Sequence, residues 1–459
     1  MVTAKRRRRH ATIAAAMREF YGARIQEYTE ELAHHLTKAG AYTDAIEQWQ
    51  RAAQRALMNA ANAEAVEALE TAIGLLAHLP DDPVHLRKGL ELQSLLGSVL
   101  IVARGPGSPE VEKVYEECRR LANELGEAQA LFRSIWGQWR IAWKVPNKIA
   151  IARQLNEIAD KHSQIEFCIQ AHHAQWASCY NGGELRKCLG HITDGLASYD
   201  ERLHGELLLH YGGHDPAVCG YGEAALCHWI LGDPTLGAKM AQSAIDQALR
   251  LKHAGSIGHA YDYALFYLQH SDNPREALQT ANKAIKFAEE MGLPHYAARA
   301  RAWRGWAISQ IDSVVDGIGQ MQTAVDEQRQ TGVEEDFPVF LEVLAGLEAG
   351  IGRYDVAHSR CQEALDLTRT SGMRHWLAEI MRREAVVRAK LVPDKLDACV
   401  ASLVEARAVA EKQQAAAIEA RILADLRRLD ERKELRNVLP DFASSGVAPQ
   451  RGDHQEMRT

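Results

Sequence analysis

Residues 231–245 read LGDPTLGAKMAQSAI. Gly232, Gly237 and Lys239 fall almost where a phosphate-binding loop would put them. Such a loop needs Gly-Lys-Ser/Thr, because the lysine reaches phosphate and the hydroxyl reaches Mg²⁺. Here Ala238 separates Gly237 from Lys239, and Met240 stands where the hydroxyl belongs. No strand pattern precedes the segment. It reads instead as a turn entering a helix: Gly232 in the turn, Asp233 as N-cap, Pro234 as the first helical residue and Gly237 as a small packing position.

Working outward, the same small residue returns at a fixed interval. Gly237, Ala277, Gly317 and Ala357 stand forty apart, and seven residues on so do Ala244, Ala284, Ala324 and Ala364. Gly292, Gly332 and Gly372 keep the interval, and Ala45/Ala52 and Ala65/Ala72 keep the seven-residue gap. Seven residues are nearly two helical turns, so both small side chains share one face and let a neighbouring helix approach. A glycine some eight residues later suits the end of that helix. Each unit is therefore two antiparallel helices and a turn, which cannot bury its apolar face alone and must stack. The expectation is an all-α fold, a solenoid of roughly ten or eleven helix pairs by length over period.

Two segments resemble the tetratricopeptide consensus. In AGAYTDAIEQWQRAA (39–53), Gly40 and Tyr42 make the turn, Ala45 and Ile46 start the second helix, and Trp49 and Ala52 pack. GIGRYDVAHSRCQEAL (350–365) repeats this with Gly352, Tyr354, Ala357, Cys361 and Ala364. The usual period is about 34 and a HEAT-like array shares the longer one, but the Gly-x-Tyr-x-x-Ala pattern favours the tetratricopeptide type, which implies a right-handed superhelix. The expected organisation is a basic flank and first helix over 1–20, the solenoid over 21–436, and a disordered polar tail over 437–459.

Bulk composition agrees with a helical globular chain. Of 459 residues, 46% are apolar and 25% charged, with only 13 prolines. A net charge of −7 gives no general attraction to nucleic acid or anionic lipid, so neither is an expected partner. The run Lys5 to Arg9 reads as a solvated flank. Eight cysteines at 118, 168, 179, 188, 219, 227, 361 and 399 contain no Cys-x-x-Cys pair, which fits reduced thiols. No apolar run approaches the ~18 residues a membrane span needs. A cytoplasmic protein is expected.

No catalytic constellation emerges, so no catalytic residue, cofactor or metal site is expected and the chain is not expected to be an enzyme. His34-His35, His172-His173, His204-x-Glu206 and His214 are weighed as metal spots. Adjacent helical histidines point about 100° apart and cannot easily share one ion, and His204-x-Glu206 lacks a downstream Pro-Cys-x-x-Cys. Trp136, Trp139 and Trp143 form a packing stripe on one helix face. Gly105 to Pro109 reads as a loop. The segment YGGHDPAVCGYG (211–222) breaks the helical pattern. Either Asp215 caps a helix that Pro216 begins, or Tyr211, His214, Asp215 and Tyr221 form a loop touching a ligand or partner.

RRRRHATIAAAM (6–17), ELAHHLTKAGAYTDAIEQWQRAAQRAL (31–57), AHHAQWASCYNGGELRKCLGHITDGLASYD (171–200) and above all YGGHDPAVCGYGEAALCHWILG (211–232) resemble the C-terminal repeat region of bacterial signalling proteins. In that family a class III adenylate/guanylate cyclase domain and a signal-transduction ATPase precede a tetratricopeptide tail. The cyclase and ATPase domains have no counterpart here, so no catalytic residue carries over. The resemblance implies a sensor arm that binds a protein, peptide or small effector and regulates a cyclase or ATPase. Two alternatives are a nucleotide-handling enzyme, and the sensor region of a transcription regulator, although no helix-turn-helix follows Arg427.

Overall fold

The structure, a computed structural model, describes residues 2–58, 61–104, 108–204, 211, 213–330 and 335–438. Among them there is no strand. Helices follow one another in antiparallel pairs, each packed on the next from Val2–Tyr21 to Ala416–Val438. The architecture is an α-solenoid of helix pairs. Gly332, residues 105–107, 205–206 and 439–459 lie outside the described residues.

Two kinds of helix alternate, and their sequences explain why. The outer Pro274–Glu290 helix buries Ala277, Ala281, Ala284, Ile285 and Ala288, a single stripe at helical spacing. The inner Ala254–His270 helix is buried on nearly every side, because it packs against both neighbouring outer helices and against the inner helices Pro216–Ile230 and Pro294–Ile311. Inner helices are accordingly buried around most of their circumference; Asp262 and Arg299 face other inner helices, whereas Arg301 reaches Glu289 and Glu327 on the flanking outer helices.

The 231–245 segment lies at such a junction. Gly232 takes φ +98 after the Pro216–Ile230 helix, a conformation that side-chain-bearing residues avoid. Asp233 then caps Pro234–Leu251 by accepting the Leu236 N–H at 2.9 Å. A Cβ on Gly237 would stand 2.8 Å from the Ala225 carbonyl oxygen and from the Tyr267 ring. The loss of that one methyl lets the two helices touch.

The other small positions sit as follows. Gly237, Ala244, Ala277, Ala284, Gly317, Ala324, Ala357 and Ala364 are buried, as is Ala45. Ala52 is half-buried, and its neighbour Ala53 takes the core position. Two large apolar clusters result, one from Ala14 to Ala122 and a larger one from Phe132 to Leu429, with two small ones, Val218–Ala260 and Ala345–Val387, beside the second. All eight cysteines are free thiols. No described helix is long and apolar enough to cross a membrane.

The C-terminal part of the coil curls back on its own middle. The Arg374 N–H donates to the Asn181 carbonyl at 2.7 Å, Gln413 Nε2 donates to the Arg374 carbonyl at 2.6 Å, and Arg421 donates to the His270 carbonyl at 3.2 Å. Asn181 Nδ2 also reaches Glu335 at 3.1 Å. Of these contacts, the Asn181–Glu335 bond reaches the groove between inner helices, where a chamber lies.

Candidate functional site

The chamber is a cavity of about 490 Å³ inside the coil. Each inner helix aims residues three, four or seven apart into it, which share one face. Ala254–His270 supplies His259, Asp262 and Tyr263; Pro294–Ile311 supplies His295, Tyr296 and Arg299; Pro216–Ile230 supplies Cys219 and Glu223. Trp139, Arg140, Lys148, His173 and His214 complete the near wall, and Glu335 and Asp336 the far one.

Arg299 organises the far side. Its Nε lies 2.7 Å from Asp262, Nη2 3.1 Å from Asp336, and Nη1 donates to the Glu335 carbonyl at 3.2 Å. The guanidinium also sits 5.1 Å over Phe266 and 5.2 Å over Phe340. Burial would discharge it, but the two carboxylates overcome burial and raise its pKa further. Burial likewise pushes Asp336 up, and His375 and Arg299 more than reverse this, holding it at about 2. Asp262 ends above its usual value because burial outweighs Arg299.

Across the cavity, Lys148 stands 3.4 Å from the Glu335 carboxylate and 4.9 Å over the Trp139 ring. Glu335 is 49% exposed, so this pair lies at the rim. Glu223 is different. Burial, then repulsion from Glu335, raises it to about 8, so it is protonated at neutral pH. Tyr263 donates to it at 3.3 Å, and the Cys188 and Cys219 thiols lie 3.7 Å away. Burial holds His259 and His295 at about 3, and His173 and His214 well below 6.5, so all four imidazoles are neutral.

Four buried polar atoms on the wall have no hydrogen-bond partner: His259 Nε2, Asp262 Oδ1, His295 Nδ1 and Asp336 Oδ1, of which only the last has an ion-pair neighbour, His375 at 3.3 Å. An unmade bond of this kind costs about 1–3 kcal/mol per group. Ser256 and His253 lie 3.0 Å apart nearby, but both are occupied in helix capping: Ser256 Oγ accepts the Asp215 N–H, and His253 Nδ1 accepts the Ser256 N–H.

The four residues singled out at 211–222 separate. His214 lines the cavity and stacks on His259 with centroids 3.8 Å apart. Asp215 is a buried cap that accepts the Ala217 and Val218 N–H groups and the Tyr199 hydroxyl. Tyr211 packs on Phe132 and Trp136 and bonds Glu166. Tyr221 packs outward against the Val218–Ala260 cluster. The tryptophan stripe also divides. Trp136 and Trp139 are buried, with indoles donating to the Tyr211 carbonyl and Ser178, whereas Trp143 lies beyond the Ala128–Ile141 helix and is 45% exposed.

Sequence reasoning missed Lys148, Glu223, Asp262, Arg299, Glu335 and Asp336. The available signal was a charge inside an all-round apolar helix, as in AGSIGHAYDYALFYLQH (254–270). His173 was weighed only with its neighbour His172. The structure pairs it with His214 and Cys219 from other elements.

No family model matches the chain. An uncharacterised protein of Rhizobium meliloti (strain 1021) is 26% identical over 422 residues, covering 92% of this chain and 41% of that protein. The chain thus spans about two fifths of the length of the curated relative it matches. Among solved structures it is similar to the human IFIT1 dimer with m7Gppp-AAAA (14% identical, TM-score 0.46, 86% of this chain and 83% of that one). Yeast Tom70 is 12% identical with a TM-score of 0.40, over 93% of this chain and 100% of that one. A signal-transduction ATPase with a tetratricopeptide repeat sensor from Pyrococcus horikoshii is 14% identical with a TM-score of 0.37, over 82% of this chain and 54% of that one. Likenesses this loose carry no functional argument.

Proposed function

We propose that this chain is a non-catalytic sensor and interaction module whose interior chamber takes a short peptide or an amino-acid-like effector. The observation that carries this reading is the chamber itself. A volume of about 490 Å³ lies in the range of small-molecule sites. Its wall presents cations (Arg140, Lys148, Arg299) and carboxylates (Asp262, Glu335, Asp336) beside aromatic rings. That combination suits a zwitterion with an apolar body. An ammonium group would satisfy Asp262 Oδ1, and ligand donors or acceptors would satisfy His259 and His295.

Effector binding would tighten contacts between successive inner helices and so alter the outer surface, which would engage a partner. The sequence resemblance supports an ATPase or cyclase module as that partner. A nucleotide-handling activity of the chain itself has no support in the chamber, since Lys239 lies on an outer helix away from it.

The test is thermal unfolding of the full chain against a panel of amino acids and dipeptides. Wild type should be stabilised by members of the panel. Ala177→Trp, which fills the cavity wall, should abolish the response, and Glu335→Gln, which removes the carboxylate that Lys148 pairs with at the rim, should weaken it. Equal responses in wild type and both variants, or none in wild type, would refute the assignment. ATP and GTP incubated with the chain should remain intact.

A further inference from the structure

The geometry points to a d-block cation site, of the zinc type, formed by His173, His214 and Cys219 on the near wall of the chamber. One nitrogen from each imidazole and the Cys219 sulfur all lie within 4.8 Å of one another. Tetrahedral zinc bonds of ~2.0–2.1 Å to nitrogen and ~2.3 Å to sulfur place ligand atoms about 3.3–3.6 Å apart, so the three must close by roughly 1 Å. His173 and Cys219 are fixed on the buried helices Ile165–Gly182 and Pro216–Ile230. His214 follows Gly213 (φ +93) in the turn that enters Pro216–Ile230 and can supply the movement.

The surroundings complete the ligands as metal sites require. His173 Nδ1 lies 3.2 Å from the buried Gln170 Oε1. Only a protonated nitrogen can bond that carbonyl oxygen, so Nε2 carries the lone pair, and the outer partner fixes the ring. The Trp176 indole N–H is fully buried and points to the Cys219 sulfur as its available acceptor, a weak one while the thiol is protonated. A thiolate there would be a stronger one. Burial raises the Cys219 thiol, and the cation displaces its proton to solvent as the metal–sulfur bond forms. Arg140 and Lys148 are the fixed cations nearby and oppose binding; Glu335 and the new thiolate offset them in part.

Two imidazoles and a thiolate select a borderline metal over Mg²⁺ or Ca²⁺, which take oxygen ligands. Three protein ligands leave the fourth position facing the cavity, the arrangement of sites that bind water or a ligand on the metal. The site stands on three side chains alone and holds whether or not a peptide or amino acid enters the chamber.

The test uses the full chain, stripped with chelator and titrated with Co²⁺. We expect one Co²⁺ per chain, a thiolate-to-cobalt charge-transfer band with tetrahedral visible bands, and displacement by Zn²⁺. Cys219→Ser should lose the charge-transfer band, and Cys118→Ser, in the other core, should keep it. Gln170→Leu, which leaves every ligand in place, should weaken Co²⁺ binding about 10–100-fold. Absence of a stoichiometric band in wild type, or a band that persists in Cys219→Ser, overturns the site. Because no effector is added, this result is separate from the thermal-unfolding panel.

Discussion

A close backbone approach lies where Pro294–Ile311 crosses Val314–Gln330, and it gives a sharp test. A Cβ on Gly317 would meet the Ser309 nitrogen at 2.4 Å and the Gly305 carbonyl oxygen at 2.6 Å. These are backbone atoms and cannot rotate away, so the helices must separate. Two residues along the same helix, Gly319 is exposed, and a Cβ there meets nothing within 4 Å. Replacing either glycine with alanine gains about 1 kcal/mol of helix propensity. Only Gly317→Ala adds an overpacking cost of roughly 1–3 kcal/mol, at the upper end because the obstacle is backbone. Gly319→Ala should therefore stabilise by about 0.5–1 kcal/mol, and Gly317→Ala should lie about 2–3 kcal/mol below it. Urea titration of the full chain by circular dichroism, with amide exchange followed over 294–330, reads the difference directly. If Gly317→Ala unfolds at the same urea concentration as Gly319→Ala or a higher one, the close-packing argument fails, and with it the physical basis of the forty-residue repeat.

Three further outcomes follow from the interior. Arg299→Met strands the buried Asp262 and Asp336 carboxylates and should cost about 3–5 kcal/mol; a loss under ~1 kcal/mol in the same titration would mean that the chamber's charges are solvated. Asp215→Ala removes a cap and the Tyr199 acceptor and should cost about 1–2 kcal/mol, with Asp215→Asn retaining most of the stability. Acid should weaken the fold in two stages. Burial, then Arg421, holds His270 at about 3 against 6.5 unfolded, with Glu379, His375 and Asp336 also facing it. Burial raises Glu379, but Arg382 and Arg421 reverse this and hold it at about 2 against 4.5. In both cases the unfolded chain binds more protons, so stability falls as pH drops, from 6.5 toward 3 for His270 and from 4.5 toward 2 for Glu379. His270→Phe, which keeps the aromatic contact with Trp376, should reduce the first stage, to which the buried His173, His214, His259 and His295 contribute in the same direction and Glu223 in the opposite one; an equal loss in His270→Phe and wild type between pH 6.5 and 4.5 contradicts the assignment.

The repeat was legible because its cause is local. Small residues seven apart, a capping Asp or Asn before proline, and glycine after the helix each act within a turn or two, and Asp233, Pro234 and Gly237 carry all of this in one segment. The chamber was not legible, because it is made by superhelical return. Asn181 meets Glu335 and Arg374, and Lys148 meets Glu335, only once the coil has turned. The same holds for His173, which has an unsuitable neighbour in sequence and two suitable ones in space. His214 could be singled out because a glycine-rich break in the helical pattern is visible in any sequence; Arg299 and Asp262 were hidden because a charge on a helix ordinarily marks its solvent face.

Native mass spectrometry of the full chain, purified without added ligand and set beside Ala177→Trp, tests the central claim most directly. The account predicts that wild type retains a small molecule, of mass beyond that of a single metal ion, and that the variant lacks it. The same mass in both proteins, or the bare chain in both, would contradict a ligand-binding chamber.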